Sequence, residues 1–284
     1  MPESAAESTL PVTVIAARTG WGLPSPRELW SYRDLLWLLA VRDISVRYKQ
    51  TALGVAWAVL QPVTTMAIFA IFFGRLGGLS KHVPEGVPYF IYTFCALLPW
   101  QLFSHALTSA SNSLIENQNL VTKVYFPRII VPLSTVLVGL VDFVVAMAVL
   151  LGLMAWWGLW PTWPILALPL FTLMAIVTAL AVGVWLAALN TLYRDFRYTI
   201  PFITQVWLFA SPVAYPASIV PEGWKLLYGL NPMVGVIEGF RWALLGVGRP
   251  PGPLAGVSLV ATGLLLMTGL LYFRRVERTL ADRI

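Results

Sequence analysis

Long apolar runs separated by short charged clusters set the pattern of this chain. Lys49 and Arg75 bracket 25 residues without Asp, Glu, Lys or Arg, and Glu85 and Glu116 bracket 30 among which only His105 interrupts. Asp142 and Arg194 bracket 51, Arg197 and Glu222 bracket 24, and Arg249 and Arg274 bracket another 24. A helix crosses the hydrocarbon core with about 20 apolar residues, so each gap holds a span and the longest holds most of two. The pattern predicts six transmembrane helices, at roughly 52–74, 88–111, 129–157, 165–190, 199–218 and 254–273. Pro161 and Pro164 discourage continuous helix between the third and the fourth.

Two segments break this simple alternation. In residues 33–50, Trp37, Val41, Ile44 and Tyr48 follow helical spacing on one face, with Arg42, Ser45 and Lys49 on another. Such a helix is expected in the cytoplasmic interface, as an orientation anchor, as a clamp around a partner, or as both. In 219–249 the apolar stretches are too short to cross. Asn231-Pro232 reads as a helix start, with Asn capping and Pro in the first turn, and Gly246 as its end. The interruptions suggest a helical hairpin dipping into the outer leaflet, tolerated where it faces protein or water; an external loop lying flat on the membrane is the alternative.

Composition then narrows the class. Hydrophobic residues make up 58% and charged residues 11%, far from a soluble average, so the chain reads as one membrane domain with no room for a soluble one. The first 30 residues hold no continuous apolar run, which argues against a cleaved signal peptide. Cys95 is alone, excluding a disulfide framework or cysteine metal site. The net charge of +6 flanks apolar spans, which favours a membrane surface over nucleic acid. With six spans, 14 Lys and Arg fall on the side of the termini and 5 on the other, an asymmetry that places both termini in the cytoplasm.

Candidate chemistry is sparse. No phosphate-binding loop ending in Gly-Lys-Ser/Thr, nucleophile elbow or metal spacing occurs, so no catalytic residue, metal or cofactor is expected in the chain itself. Asp142 alone falls squarely inside a span, where facing lipid would cost about 2.5–3.5 kcal/mol; it is expected to face the bundle or a wet cavity, or to be protonated, making a structural hydrogen bond or, as a channel candidate, a substrate contact. Glu238 and Arg241 are one helical turn apart and positioned to pair, either as simple neutralisation or as the charged lining of an external gate. Trp156, Trp157, Trp160 and Trp163 suit an interfacial belt. Tyr92, Trp100 and Phe103 are candidates for rings facing a passage, although packing explains them equally.

Five strings then carry a resemblance: RDISVRYKQTALGVAWAVLQP at 42–62, YFPRIIVPLS at 125–134, NTLYRDFRY at 190–198, SPVAYP at 211–216 and LNPMVGVIEGFRWALLG at 230–246. Together, and in this order, they resemble the permease subunits of polysaccharide ABC exporters, the ABC-2-type family that includes O-antigen and teichoic-acid exporter permeases. The resemblance covers about residue 30 to the C-terminus. It implies an all-α membrane protein of the type V exporter fold, with six transmembrane helices, an N-terminal amphipathic interfacial helix and an external re-entrant helical hairpin before the last span. The corresponding organisation is a cytoplasmic tail at 1–30, the amphipathic helix at 31–50 and the transmembrane domain at 51–284.

The same resemblance implies a homodimer with two copies of a separate ABC ATPase, which binds ATP and Mg, and export of a polyprenyl-diphosphate-linked glycan across the bacterial inner membrane. It places an ATPase-coupling helix at Glu116 to Arg128, including Asn117, Gln118, Asn119 and Lys123. It makes the hairpin at 222–245, with Asn231, Pro232, Glu238 and Arg241, a periplasmic gate. Arg42, Arg47 and Lys49 stand where a lipid diphosphate would first be attracted, although attraction to ordinary anionic lipid explains them as well. An ABC-2 drug or small-lipid exporter is the alternative within transport. A membrane glycosyltransferase is less well supported, because clustered carboxylates are missing.

Overall fold

The structure is a computed structural model that describes residues 26–49, 54–193, 195–247 and 252–277; the tail at 1–25 lies outside the described residues. Among these residues every regular element is helical. The chain begins with α1 (Pro26–Ser31) and α2 (Arg33–Lys49), then α3 (Gly54–Phe69), which widens into a π-helical turn at Ala70–Leu76. Next come α4 (Tyr89–Glu116), the short α5 (Gln118–Lys123), α6 (Ile130–Trp156) and α7 (Leu168–Leu192). They are followed by α8 (Phe196–Phe209), α9 (Glu222–Tyr228), α10 (Pro232–Leu245) and α11 (Pro253–Glu277).

Among the described residues, five helices are long and apolar enough to cross a membrane: Ala56–Leu76, Tyr89–Glu116, Ile130–Trp156, Trp163–Leu192 and Pro253–Glu277. The connection after α6 falls where the prolines predicted it, with Gly158 at φ 72° just past the helix end. The fifth apolar segment, expected as a span over 199–218, is built differently. Its helix α8 has only 14 residues and ends at Phe209, about 21 Å of length. Ser211 to Pro216 then continues without helix, because Pro212 removes an amide donor and biases its predecessor away from helix.

α4 is the axis of the bundle. It packs against α3, α6, α7, α8 and α10, and its N-terminal half is buried from Ile91 to Trp100. α10 threads between α4, α7 and α11, with all of its residues buried except Glu238, Trp242 and Leu245. Two glycines permit that fit. A Cβ on Gly239 would lie 2.3 Å from the Phe171 ring, and one on Gly235 would lie 2.7 Å from Ser258. Small residues at such crossings bring helices together where hydrophobic exclusion from lipid supplies no drive. The predicted caps form as read: the Asn231 side chain accepts from Met233 N at 3.1 Å, Pro232 takes the first turn, and Gly246 closes the helix at φ 65°.

α2 is seated against α6 rather than lying apart on a surface. Leu39 and Ala40 are buried, Leu39 in a cluster with Leu114, Val121, Phe126 and Ile130. Tyr48, nine residues further on, reaches Asp142 in the middle of α6. The helix therefore runs alongside α6, carrying its last turn toward the centre of the bundle.

Candidate functional site

Polar side chains converge at three places. The first is where α2 meets α4 and α6. Arg47 pairs with Asp142 at 2.6 Å and its guanidinium donates to Nε2 of His105, while the Tyr48 hydroxyl donates to the other Asp142 oxygen. Burial, and then the neighbouring Asp142 carboxylate, push Tyr48 up to about 12, so its phenol keeps the proton that it donates. Arginine can only donate, so His105 accepts at Nε2 and a neutral ring carries its proton on Nδ1. That Nδ1 is buried without a partner and lies beside Gly139. A cavity of about 70 Å³ adjoins the cluster, lined among others by Trp57, Gln61, Gln101, His105 and Asp142. It is roomy and polar enough to hold a few waters. Asp142 thus turns into the bundle, as its insertion cost demanded.

The second place is the α10 core. Arg241, with 1% of its surface exposed, pairs with Glu238 at 2.8 Å and donates to the Val213 carbonyl at 3.0 Å and the Tyr215 carbonyl at 3.3 Å. Its guanidinium lies 3.8 Å from the centroid of the Tyr92 ring, a cation–π contact strengthened by desolvation. Glu238 also accepts from Ala217 N at 3.4 Å, and Tyr89 donates to the Ala214 carbonyl at 2.6 Å. The non-helical stretch after α8 is thereby fastened from two helices. At the other end of α10, the Asn231 amide accepts from Trp207 at 2.8 Å and donates to the Ala210 carbonyl at 3.1 Å.

Of the aromatic candidates, Tyr92, Trp100 and Phe103 are all buried. Tyr92 carries Arg241, and Trp100, Phe103 and Trp207 form a chain of ring contacts. In this structure they are core rather than the wall of a passage, because α4 is enclosed on that side by its neighbours.

The third place is the end of the bundle bearing α5. Arg42 donates to the Asn117 side chain at 2.7 Å and pairs with Asp43. Arg128 donates to Glu277 from its backbone N at 3.2 Å and from its guanidinium. α2 is thereby tied to the α4–α5 junction, and the segment before α6 to the end of α11. Glu116, Gln118, Asn119 and Lys123 stay exposed on this surface, whereas Lys49, also exposed, lies at the other end of α2 beside Tyr48.

Sequence reasoning missed that Arg47 and Tyr48 hold Asp142, and that Gln61, Gln101 and His105 line the cavity beside it. The available signal was the recurrence of polar residues at helical spacing in α4, hidden by attention to its aromatics.

A bundle of long apolar helices, with Arg47 and Asp142 and then Glu238 and Arg241 paired within it and α10 wedged among its neighbours, defines a multi-pass membrane protein. The chain belongs to the ABC-2 type transporter family, whose membrane region matches residues 34–245. It is 32% identical over 255 residues to the O-antigen export system permease protein RfbA of Myxococcus xanthus, covering 88% of this chain and 96% of that protein. It is 24% identical over 252 residues to the polysialic acid transport protein KpsM of Escherichia coli, covering 85% and 93%. Similarity to the inner membrane transport permease YadH of Escherichia coli K12 is 26% over 200 residues, covering 67% and 76%.

Proposed function

We propose that this chain is the permease subunit of a polysaccharide exporter. In this reading it moves a polyprenyl-diphosphate-linked glycan across the bacterial inner membrane, with both termini in the cytoplasm. Two copies form the passage, and two copies of a separate ABC ATPase, which binds ATP and Mg, drive it. The observation that carries the reading is the similarity to O-antigen export permeases along nearly the full length of both chains.

The geometry suits this division of labour. Glu116, Asn117, Gln118, Asn119, Lys123 and Arg128 form the surface that the ATPase grips. The α9–α10 hairpin is the external gate, held shut by Asn231, Pro232, Glu238 and Arg241. The α8 helix completes a sixth crossing together with the stretch that follows it. Arg42, Arg47 and Lys49 attract the lipid diphosphate, Arg47 doing so only on release from Asp142.

Co-purification with the ATPase and reconstitution into vesicles test the reading. Lipid-linked glycan should become protected inside inverted vesicles only when ATP and both subunits are present; export undiminished without the permease rejects the reading. The similarity to YadH keeps a drug or small-lipid exporter as the second reading. Deletion of the gene separates the two: loss of surface polysaccharide with unchanged drug sensitivity supports the first.

A further inference from the structure

We propose that one face of α4, from Gln101 to Asn112, is a hydrated track that holds the hydroxyl groups of a glycan segment lacking fixed charge. The inference rests on the polysaccharide reading and assigns its ligand contacts to residues outside the sequence-derived candidates.

The accessibility pattern of α4 changes abruptly halfway along. From Tyr89 to Trp100 only Phe90 is not buried, and that ring lies against Trp157. From Gln101 to Leu114 the positions that remain accessible are Gln101, Ser104, His105, Thr108, Ser109 and Asn112. All six are polar. At 100° per residue they fall within an arc of about 140°, and they extend over about 16 Å of helix. Every intervening apolar residue is buried.

Bonds within the chain account for Asn112, which donates to the Thr108 carbonyl at 3.1 Å and accepts from Asn190 at 3.0 Å, but not for the rest of this face. Serine and threonine in a membrane helix commonly bond back to the preceding turn, and Ser111, Ser134, Thr135, Thr172 and Thr178 do so here. Ser104, Ser109 and Thr108 show no such bond among the described residues, nor do the amides of Gln101 and Gln61. Unpaired donors and acceptors of this kind are costly against lipid tails, and Gln61 and Gln101 line the polar cavity instead. The buried, partnerless Nδ1 of His105 belongs to the same face and adjoins the polar cavity. Water or a hydroxyl-rich ligand satisfies all of these groups.

Charge decides between polymers. Among the described residues the face itself carries none, and the neighbouring Arg47 is neutralised by Asp142. Amides, hydroxyls and a neutral imidazole offer sugar hydroxyls many weak, interchangeable hydrogen bonds. A moving polymer needs sites that bind enough to admit it and too weakly to trap it. Arg47, the cation that reaches this face at His105, is already held by Asp142, so a polyanion would have to displace that carboxylate to gain it. The track ends at Gln101 beneath Leu97 and Leu98, both 1% exposed, so in this conformation it leads from the α5 end only halfway along the helix.

Two measurements on the reconstituted permease–ATPase complex test the assignment. In a Cys95→Ser background, single cysteines at Gln101, Ser104 and Thr108 should react with a charged, membrane-impermeant thiosulfonate at least tenfold faster than cysteines at Leu173 or Val260. Equal, slow rates overturn the hydrated track, including the case in which a second copy of the chain covers it. The double variant Gln101→Leu/Thr108→Val should lower ATP-driven uptake of a lipid-linked neutral glycan at least fivefold while still co-purifying with the ATPase, and Gln101→Asn should restore part of the loss. Unchanged uptake, or preference of the wild type for a polyanionic glycan, overturns the ligand assignment. If the wild type transports no glycan but its cysteines react, the polysaccharide reading fails and takes the ligand with it, whereas the aqueous face stands.

Discussion

Arg241 shows how much one buried cation organises. It meets a carboxylate, two backbone carbonyls and an aromatic face at once, so its removal leaves several groups without their partner. Arg241→Ala should destabilise the folded protein by about 3–5 kcal/mol, read as a lowered Tm in detergent, whereas a shift of under a degree would contradict the staple. The Arg47–Asp142 pair is partly accessible, so solvent screens it. A double-mutant cycle with Arg47→Gln and Asp142→Asn should give a coupling near the lower end of about 0.5–3 kcal/mol. Sequence showed that Glu238 and Arg241 are spaced to pair, because helical neighbours are local. It could not show Tyr92 beneath Arg241 or His105 beside Arg47, since those contacts join elements far apart in the chain. The ring candidates of α4 failed for a related reason: bulk and polarity name a residue's chemistry, while only the neighbours decide which way it faces.

At the level of elements, the hairpin was the most readable part and α8 the least. Asn231-Pro232 and Gly246 set the limits of α10 by local chemistry alone, and the structure places both caps there. The 24 residues between Arg197 and Glu222 look like one span because hydropathy counts residues without asking how many stay helical. Pro212 and Pro216 divide them instead. Asn231→Ala should remove the cap, worth about 1 kcal/mol, together with the bonds to Trp207, Ala210 and Ser211. Its signature is faster proteolysis of the hairpin without loss of the other helices. Gly239→Ala would force a methyl into the Phe171 ring and should cost about 1–3 kcal/mol through overpacking. A thermal unfolding curve that superimposes on the wild type would show that the crossing has slack.

The molecule as a whole couples one end to its middle through the side chains of a single helix. α2 bonds to Asn117 beside α5 through Arg42 and to Asp142 in mid-bundle through Arg47, so one helix touches both the proposed ATPase surface and the polar cavity. Lys123→Glu reverses charge on that surface and should reduce co-purification with the ATPase severalfold while leaving the Tm of the isolated permease within a degree. An equal loss of stability would place Lys123 in the fold instead. The fastening around Arg241 has a consequence for how such a molecule opens. A guanidinium that grips the Val213 and Tyr215 carbonyls ties α10 to the strap after α8. If α10 is the moving part of the proposed gate, its outward swing should drag the tip of α8 along, so that a door becomes a moving wall.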